Sequence, residues 1–436
     1  MRVGVVGTGY VGLVAGACFA DVGNHVICVD VVESKIAALK RGEIPIYEPG
    51  LAEFVQRNEK AGRLEFTTDL AHAVADSLVI FLAVGTPQAD DGSADLSAIV
   101  GVVKQIGRMM DGYRIIVTKS TVPVGTHKLI AETIQGETDH PVDVVSNPEF
   151  MKEGAAVEDF TKPDRVVLGT TNPAVVEIMK QLYGPYMRKR ERLLIMDPAS
   201  AELTKYAANA LLATKVSFMN EIANLCERYG ADVELVRAGV GSDSRIGHAF
   251  LFPGVGYGGS CFPKDVSALI HMGKVADYPP LISEAAQETN QRQRRRFAQR
   301  VIDEYGDRAK QVTLAVWGLA FKGRTDDVRE APALTAIRMF LDAGMRIRAH
   351  DPEAMPNAER ELASDRVNYH ADGYEALDGS EGLVIFTDWQ EFRTPDFDMI
   401  RKRLSRPIIF DGRNLYDPAF MKKLGFTYHS VGRPTL

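Results

Sequence analysis

The sequence has few cysteines and no long hydrophobic run, and both absences exclude whole classes of protein. Four cysteines in 436 residues are too few and too scattered for the disulfide framework of a small secreted domain. No uninterrupted apolar run approaches the roughly 20 residues that span a bilayer. The first residues read as an apolar strand and a glycine turn, not as a secretory leader. We therefore expect a soluble, cytoplasmic protein without a membrane segment.

Excess basic charge and metal-ligand patterns are also lacking. The formal net charge is −7, which argues against broad affinity for nucleic acid. One basic cluster, Arg292 with Arg294–Arg296, is best explained as the solvated face of a helix. The nine histidines are scattered, and no cysteine or histidine pair has the spacing of a zinc site. The sequence predicts neither a metal site nor a nucleic-acid partner.

The chain does have the length and composition of a large globular protein. Hydrophobic residues make up 45% and charged residues 25% of it, as in ordinary soluble domains. A chain of 436 residues exceeds what one hydrophobic core usually serves. We predict three domains, at residues 1–198, 199–300 and 301–436.

The start of the sequence carries the pattern of a dinucleotide-binding turn. A short apolar strand runs into Gly-Thr-Gly-Tyr-Val-Gly, and an amphipathic helix pattern follows. Gly7 permits the tight turn, Gly9 lets the backbone approach a pyrophosphate, and Gly12 lets the helix pack closely. Asp30 ends the second strand pattern, where a carboxylate binds ribose hydroxyls and selects NAD over NADP. Lys35 is either a contact of the adenosine ribose or a surface lysine.

Strand and helix patterns alternate through the first domain. Buried strands are predicted at His25–Val29, Ser77–Val84, Arg114–Thr118 and Val142–Ser146. This alternation favours a mostly parallel sheet, whose ligands gather beyond the carboxyl ends of the strands. The segments at those ends, expected to line a cofactor and substrate crevice, are Gly85–Pro87, Lys119–Pro123 and Asn147–Glu149.

Cys261 lies in Gly256–Asp265, where small neighbours leave its sulfur open. A thiolate is a better nucleophile than a thiol, and the ammonium of Lys264 would favour the charged sulfur. The alternative is a buried cysteine beside a glycine turn. The other cysteines fall in apolar segments predicted as core: Cys18, Cys28 and Cys226.

A long, largely buried helix is predicted from a cap at Ser200 to near Gly230. Lys205 and Asn209 are four positions apart, so they project from one face of this helix. Polar groups on an apolar helix need partners. Either the two side chains satisfy one another, or together they polarise and orient a substrate hydroxyl.

Glu149 and Glu153 are also four positions apart, and Pro148 suits the opening of a helix. Two carboxylates in one cavity would raise the pKa of one of them and make it a proton acceptor. The alternative is a pair of acids that merely favours a helix N-terminus.

The pattern of the first domain recurs in the last third of the chain. Strands are predicted at Val312–Trp317, Arg346–His350, Leu383–Thr387 and Ile408–Phe410, with a helix at Ala331–Ala343. The full glycine pattern is absent, so we expect a ligand other than NAD, with Lys322 and Arg413 best placed for phosphates. The predicted fold class is α/β, with two Rossmann-like doubly wound domains joined by a long central helix.

Taken together, these motifs resemble the nucleotide-sugar 6-dehydrogenase family over nearly the whole chain, and most of all its members that act on UDP-glucose. The segments that carry the likeness are Gly7–Gly12, Val84–Pro87, Ser120–Thr126, Asn147–Phe150, Lys205 with Asn209, Gly258–Asp265 and Phe321–Lys322. The resemblance implies two successive oxidations at C6 of the sugar, each reducing one NAD. It also implies a thiohemiacetal and then a thioester on Cys261, from which water releases the uronic acid.

The resemblance further implies roles for individual positions. Lys205 and Asn209 match groups that stabilise an oxyanion. Thr121, Glu153 and Asp265 match groups that arrange water and protons, and Glu149 matches a residue assigned to thioester hydrolysis. The implied cofactor contacts are Gly7, Gly9, Tyr10, Val11, Gly12, Asp30, Lys35, Thr86, Thr121, Glu153, Lys264 and Arg329. The implied substrate contacts are Glu149, Phe150, Met151, Lys152, Glu153, Lys205, Asn209, Arg245, Phe250, Leu251, Phe252, Pro253, Gly254, Gly258, Lys322 and Arg413. Arg245 matches an arginine donated across a homodimer interface, with the long helix as the dimer core.

Three alternatives stay open at this point. Relatives in the resembled family act on GDP-mannose or N-acetylated UDP-sugars, and Met151-Lys152 departs from the residues that relatives often carry there. β-Hydroxyacid dehydrogenases also join a nucleotide-binding domain to a helix with Lys and Asn four apart, but they perform one oxidation and need no cysteine. A non-enzymatic NAD sensor would explain neither the Cys261 segment nor the second α/β unit.

Overall fold

The structure is a computed structural model that describes residues 1–187 and 192–434. The chain divides into two compact units. The first comprises Met1–Ala208 and Ser267–Ala276, and the second comprises Asn209–Val266 and Asp277–Leu436. Each unit has its own sheet and its own hydrophobic core.

An eight-stranded sheet forms the centre of the first unit. Its strands are β1 (Arg2–Val6), β2 (His25–Val29), β3 (Leu64–Thr67), β4 (Val79–Leu82), β5 (Arg114–Thr118), β6 (Val142–Ser146), β7 (Val166–Gly169) and β8 (Leu193–Met196). The order is β3-β2-β1-β4-β5-β6-β7-β8, and the neighbours are parallel except for β6 and β7. The helices are α1 (Tyr10–Asp21), α2 (Glu33–Lys40), α3 (Leu51–Lys60), α4 (Leu70–Asp76), α5 (Ser97–Met109), α6 (Thr126–Gln135), α7 (Ala156–Thr161) and α8 (Pro173–Tyr183), with a 3₁₀ helix at Gly184–Tyr186.

The apolar composition of the strands explains why this sheet is parallel. β4 and β5 are buried along their whole length, as strands are when helices cover both faces of a sheet. Helix α1 packs closely on the sheet because Gly16 has no side chain, since a Cβ there would lie 2.5 Å from Cys28 Sγ. The turn before α1 is thereby fixed at the carboxyl end of β1.

Two helices, α9 (Pro198–Tyr229) and α11 (Phe262–Val275), contribute residues to both units. Helix α9 confirms the predicted long helix, but its cap is not Ser200. The carboxylate of Asp197 accepts a hydrogen bond from the Ser200 backbone N–H at 2.9 Å, and Pro198 is the first helical residue. Asp at the cap and Pro at the first position are both favourable at a helix start.

A six-stranded parallel sheet forms the centre of the second unit. Its strands are β9 (Thr313–Trp317), β10 (Arg346–His350), β11 (Val367–Tyr369), β12 (Leu383–Ile385), β13 (Ile408–Asp411) and β14 (Thr427–Ser430), in the order β11-β10-β9-β12-β13-β14. The remaining helices are α10 (Val233–Gly241), α12 (Leu281–Tyr305), α13 (Pro332–Asp342), α14 (Met355–Leu362), α15 (Gln390–Arg393), α16 (Phe397–Arg403) and α17 (Pro418–Lys423), with 3₁₀ helices at Gly306–Gln311 and Glu375–Leu377.

Both sheets share the strand order 3-2-1-4-5-6 of a doubly wound dinucleotide-binding fold, with two strands added to the first. The predicted fold class, with two Rossmann-like domains and a long central helix, is confirmed. Ligands of such sheets bind beyond the carboxyl ends of the strands, so the candidate site is expected at the segments after β1, β4, β5 and β6.

The cysteines and the basic cluster are the features on which the structure tests the expectations from composition. All four cysteines carry free thiols, and the three predicted as core are buried. Within residues 1–187 and 192–434, no helix is long and apolar enough to cross a membrane, and no group of His, Cys, Asp or Glu could hold a metal ion. The expectation that the basic cluster is a solvated helix face is wrong at one position. Arg294 is buried, whereas Arg292, Arg295 and Arg296 are exposed.

Candidate active site

The glycine turn of the first unit leaves the start of α1 open. Gly7 has a φ of 100°, and a Cβ there would lie 2.5 Å from the carbonyl oxygen that follows β4. A Cβ on Gly12 would lie 1.9 Å from Gly7 O, whereas a Cβ on Gly9 would meet no heavy atom within 4 Å. Tyr10 and Val11 begin α1, which has no side-chain cap and no acid in its first turn. The backbone N–H groups and helix dipole there fit a pyrophosphate.

Asp30 is held as a charged acceptor at the end of β2. Its Oδ2 accepts hydrogen bonds from Thr8 N at 2.9 Å, Thr8 Oγ1 at 2.7 Å and Lys35 Nζ at 3.0 Å. Its Oδ1 accepts from Val32 N at 3.1 Å. Burial alone would raise the pKa of Asp30, but these donors outweigh it and lower the pKa to about 2. Lys35 therefore contacts Asp30, the acid that the sequence predicts to bind ribose.

Tyr10 is linked to the loop after β6 through Glu48, a residue that the sequence did not single out. The Tyr10 hydroxyl donates to Glu48 at 2.5 Å and lies 2.9 Å from Lys152 O. Glu48 also accepts from Gly154 N at 2.7 Å and Ala156 N at 2.8 Å. Burial and the Glu48 carboxylate raise the pKa of Tyr10, so the phenol remains a donor. Glu48 is separated from its loop partners by more than 100 positions, and no local pattern reveals the link.

The loop itself corrects a prediction. Glu149 and Glu153 do not open a helix, because α7 begins only at Ala156. Within this loop the ring of Phe150 faces the Arg165 guanidinium at 3.9 Å. Met151 packs against the core of the first unit. Lys152 forms an ion pair with Asp159 at 2.8 Å. The side chains of this segment are thus held by partners elsewhere in the unit rather than by helical spacing.

Glu149 and Lys205 form a buried ion pair, 2.9 Å between Nζ and Oε1. The second carboxylate oxygen of Glu149 accepts from Met151 N at 2.6 Å. Burial acts to raise the pKa of Glu149, but the charge and hydrogen bond of Lys205, the Met151 N–H and the charge of Lys119 together lower it. Of the two acids expected to share a cavity, Glu149 does not have a raised pKa, and it is held as a carboxylate.

The segments after β4 and β5 are tied to each other. Thr86 Oγ1 donates to Thr121 O at 2.9 Å, and both threonines are buried. Ser120 Oγ donates to Val84 O at 2.6 Å. Glu202 of α9, which the sequence did not mark, accepts from the backbone N–H groups of Gly125 and His127 at the start of α6. A buried acid at that N-terminus fixes the end of the segment that carries Thr121.

In the second unit, Cys261 stands immediately before helix α11 and is half-buried. Asp265, in the first turn, accepts from Asn209 Nδ2 at 2.6 Å and from Lys264 Nζ at 2.7 Å. Its backbone N–H donates to Cys261 O at 2.8 Å. Cys261 Sγ lies 3.5 Å from Ser260 Oγ. A helix N-terminus favours a thiolate, so this setting suits a nucleophilic sulfur.

Asn290 and Arg294 of α12 shape the chain before Cys261. Gly256 has a φ of 102°, and a Cβ there would lie 2.6 Å from Asn290 Oδ1. Asn290 pairs with the backbone N–H and carbonyl of Tyr257 at 2.8 and 3.1 Å. Arg294 donates to the same carbonyl and to Glu330. Gly258 lies against backbone, since its Cβ would be 2.3 Å from Glu330 O. The sequence marked the glycines but not these two partners.

The predicted substrate segment 250–254 is built into the second unit. Gly254 N donates to Asn220 Oδ1 at 2.7 Å, and Gln293 donates to Gly254 O at 2.7 Å. Phe250 adopts a φ of 63°, a left-handed backbone. Leu251 and Pro253 are buried, whereas Phe252 is half-exposed. This arrangement leaves an aromatic ring open beside a rigid glycine turn.

Asp388 orients the cationic groups expected at a diphosphate. Arg413 Nη2 lies 3.7 Å from Asp388, and Gly323 N donates to the same carboxylate at 3.4 Å. Burial would raise the pKa of Asp388, but Arg413, the Gly323 N–H and Arg393 lower it. Lys322 lies over the ring of Phe321 at 5.6 Å. Sequence reasoning did not select Asp388, because an acidic side chain near a predicted phosphate site is expected to repel the phosphate.

Arg245 and Arg329 are exposed and paired with nearby acids. The Arg245 side chain is 87% exposed and reaches Asp243 at 2.6 Å. Arg329 reaches Asp327 at 2.7 Å, and its carbonyl accepts from Gly259 N at 2.9 Å. The Arg245 pair lies largely in solvent, so exchanging it for a ligand costs little, whereas the Asp327 partner of Arg329 is only 9% exposed.

The fold and the glycine turn define the first unit as the NAD-binding part of a dehydrogenase, and the open backbone at Gly9 with charged Asp30 fits that cofactor. Models of the UDP-glucose/GDP-mannose dehydrogenase family match the NAD binding domain at residues 1–187, the central domain at 199–292 and the UDP binding domain at 315–418. The chain belongs to this family.

Individual relatives agree over the full length. The chain is 48% identical to a UDP-glucose 6-dehydrogenase of Pseudomonas aeruginosa, covering 100% of this chain and 98% of the relative. It is 46% identical to UDP-glucose 6-dehydrogenase TuaD of Bacillus subtilis, covering 100% and 94%. A solved UDP-glucose dehydrogenase from Pyrobaculum islandicum superposes with a TM-score of 0.90 at 37% identity, covering 99% and 98%.

Proposed function

We propose that the protein oxidises UDP-glucose at C6 to UDP-glucuronate, in two NAD-dependent steps joined by a thioester on Cys261. The full-length relatives named for UDP-glucose support the substrate. The observation that carries the two-step chemistry is the half-buried Cys261 thiol at the N-terminus of α11, beside the Asn209–Asp265–Lys264 cluster. A dehydrogenase that performs only one oxidation needs no such nucleophile.

The division of labour follows the predicted domains. We assign cofactor binding to residues 1–198, the dimer core and the reactive cysteine to 199–300, and the UDP-sugar to 301–436. NAD, which the Gly7–Gly12 turn and Asp30 would hold, would supply the hydride acceptor for each oxidation. In the second sheet, Lys322 and Arg413 bind the diphosphate, with Asp388 orienting Arg413. The segment 250–254 supplies backbone and aromatic contacts to the nucleoside.

Each chemical step has a residue that suits it. In the first oxidation C6 loses a proton from its hydroxyl and a hydride, which leaves an aldehyde. The Lys205 ammonium and the Asn209 amide, one turn apart on α9, donate hydrogen bonds to the oxygen at C6. The Cys261 thiolate adds to the carbonyl carbon to form a thiohemiacetal, and loss of a second hydride and a proton leaves the thioester.

Hydrolysis then needs a group that orients or deprotonates water. Glu149 is a carboxylate held by Lys205 and the Met151 N–H, so it accepts a hydrogen bond from the attacking water. Thr121 and Glu153 arrange water and protons beside it, and Asp265 does so near the sulfur. Water adds to the thioester carbon, the Cys261 thiolate leaves, and the uronate is released.

The stoichiometry of the reaction tests the proposal. We expect two moles of NADH per mole of UDP-glucose, with UDP-glucuronate as the product. Cys261→Ser should stop uronate formation and leave NAD binding unchanged, while Cys226→Ala, at a buried thiol of the same unit, should keep the two-to-one ratio. GDP-mannose and N-acetylated UDP-sugars serve as competing substrates. Steady-state formation of the acid by Cys261→Ser would reject the covalent step.

We also propose a homodimer built on α9. Three exposed apolar side chains recur at seven-residue intervals on this helix, namely Leu211 at 63%, Phe218 at 50% and Leu225 at 44% exposure. Such a seam supports helix pairing with a second copy. Phe218→Glu should give a monomer in light scattering, whereas Lys402→Glu on exposed α16 should leave the mass unchanged. Arg245, whose side chain is 87% exposed beside Asp243, reaches the second copy in this arrangement.

The chemistry also favours the cytoplasm. Cys261 must remain a thiol to act as a nucleophile, and reducing compartments keep exposed thiols in that state.

A further inference from the structure

Lys119 is a buried cation that none of the proposed steps uses. It follows β5 directly and is 5% exposed. Its Nζ donates to Asn147 Oδ1 at 3.1 Å and lies 3.3 Å from the Tyr183 hydroxyl. The rings of Phe160 and Tyr183 face the ammonium at 5.9 and 5.7 Å. Burying a charge among neutral groups is costly unless an opposite charge compensates it.

The compensating charge is Glu149. Burial lowers the pKa of Lys119 to about 8, with Glu149 acting to raise it and Lys205 to lower it. In the same way, the charge of Lys119 contributes to the lowered pKa of Glu149. Two buried cations therefore stabilise the Glu149 carboxylate: Lys205, in direct contact, and Lys119, through its charge. The other ionisable groups that line the small cavity beside Lys119 are Lys152, Asp159, Asp164, Arg165 and Tyr183.

Asn147 provides the mechanical link between Lys119 and Glu149. It is fully buried, and its N–H donates to Thr118 O at 2.9 Å while Nδ2 donates to Val167 O at 2.8 Å. Its Oδ1 accepts from both Lys119 and Tyr183. Pro148 follows with a fixed φ, so the orientation of Asn147 is transmitted to Glu149 over a stiff connection.

We infer that Lys119 is a positioning residue that, together with Lys205, holds the Glu149 carboxylate in place and ionised for hydrolysis of the thioester. This rests on the proposed function, in which Glu149 orients the attacking water. Lys119 itself touches neither water nor sugar in this role. Its removal should affect hydrolysis at low pH, where Glu149 takes up a proton, and should leave the first hydride transfer nearly unchanged.

The test compares Lys119→Met with Lys119→Arg. Methionine has a similar shape without the charge, and Asn147 Oδ1 keeps the Tyr183 hydroxyl as a donor at 2.5 Å. Rapid-quench turnover with UDP-glucose and NAD, from about pH 3 to 9 so that the scan extends below the ordinary carboxyl pKa, separates the first and second NADH from uronate release. In Lys119→Met we expect the acid limb of hydrolysis to move upward by about one pH unit and the rate below the limb to fall about tenfold. Lys119→Arg should restore the wild-type limb.

Controls separate this role from a structural one and from failure of the proposed function. Lys104→Met, at an exposed lysine of α5, should leave the limb in place. In a Glu149→Gln background, Lys119→Met should change hydrolysis less than twofold. A folded Lys119→Met enzyme that is slower at every pH, with its acid limb unmoved, would overturn the inference, and Lys119→Gln replaces it if methionine prevents folding. Wild-type enzyme that yields only one NADH per sugar would instead refute the proposed function.

Discussion

Replacing Gly258 by alanine should misplace Cys261 while leaving both sheets intact. A Cβ on Gly258 would lie 2.3 Å from Glu330 O and 3.2 Å from the Cβ of Phe321. To restore even a 3.0 Å contact with the carbonyl, one backbone must move by about 0.7 Å. The neighbouring Gly259 N–H, bonded to Arg329 O at 2.9 Å, limits which way the chain can move. The shift is therefore passed along the chain to Cys261.

The backbone shift should lower both the stability of the unit and the rate of the reaction. Overpacking of this kind destabilises a protein by about 1–3 kcal/mol, and each kcal/mol lowers the Tm of a unit this size by about 2–4 °C. A misplacement approaching 1 Å costs a reaction about 100-fold in rate. We expect Gly258→Ala to lower kcat for UDP-glucuronate formation by about 10- to 100-fold, with NAD affinity unchanged.

The assay combines differential scanning calorimetry, NADH production with UDP-glucose and alkylation of Cys261 by iodoacetamide. Gly239 supplies the matched control, because it lies in α10 of the same unit and a Cβ there meets nothing within 4 Å. Gly239→Ala should stabilise the helix by up to about 1 kcal/mol and preserve activity. Wild-type kcat and Tm in Gly258→Ala would show that the loop tolerates the side chain and would refute the argument from close packing.

Three further predictions concern residues held by charge. Glu48→Gln replaces one of two oxygens that accept backbone N–H groups by an amide that donates, so kcat should fall several-fold in steady-state assays, whereas Glu43→Gln, at an exposed acid, should have no effect. Arg294→Met should lower the Tm and slow Cys261-dependent turnover, with Arg292→Met on the exposed face as its control. The lowered pKa of Asp30, about 2, means that this carboxylate favours folding above about pH 4 and that the contribution is lost as the pH falls toward 2. After solvent screening it amounts to about 1 kcal/mol, measurable as the difference between wild type and Asp30→Asn in urea unfolding at pH 7 that disappears near pH 2.

The strands of the two sheets were predictable because parallel strands are apolar along their length. The predicted bounds of Arg114–Thr118, Val142–Ser146 and Arg346–His350 agree with β5, β6 and β10. The short strands β3 and β11 and the added pair β7 and β8 were not predicted. β8 has exposed leucine and isoleucine side chains, so its pattern does not identify a buried strand.

The site was predictable only where chemistry and local pattern coincide. Glycines in a turn and a cysteine at a helix start leave such a pattern, whereas Glu48, Arg294 and Lys119 owe their importance to partners distant in sequence. The spacing of Glu149 and Glu153 gave a wrong prediction of a helix start. Residues four positions apart share a face only within a helix, and the chain after Pro148 is a loop. Ion pairing across elements, not spacing, sets the charge of Glu149.

The turn after the first strand of each sheet is closed by the same hydrogen bonds. The sequence did not reveal this likeness, because the second turn lacks the full glycine pattern. Gly7 N donates to the last carbonyl of β2 at 2.7 Å, and Gly318 N donates to the last carbonyl of β10 at 2.8 Å. Both glycines have positive φ, 100° and 89°. The following acid then accepts the next backbone N–H, at 2.9 Å for Asp30 and 2.7 Å for Asp351.

The two turns differ in how far the hydrogen-bonding capacity of Asp30 and Asp351 is already used within the protein. Ala320 stands where the first turn has Gly9, so a buried methyl group occupies the approach that a pyrophosphate needs. Asp351 is fully buried and also accepts from Ala320 N at 3.1 Å and Trp389 Nε1 at 3.2 Å. Its Oδ1 accepts two more backbone N–H groups. Its acceptor positions are therefore used inside the fold, whereas Asp30 is 9% exposed and its Oδ1 accepts from Val32 N.

Asparagine substitution at the two positions should therefore have opposite effects. Asp351→Asn replaces an oxygen that several buried donors share, and a buried donor left unpaired costs about 1–3 kcal/mol. We expect a lower Tm for this variant with an unchanged Kd for NAD in calorimetric titration. Asp30→Asn should weaken NAD binding at least tenfold while lowering the Tm less, because two of its four donors belong to the partly exposed Lys35 and the exposed Val32. A fall in NAD affinity in Asp351→Asn would mean that the second turn also serves a dinucleotide, contrary to the use of its acid within the fold.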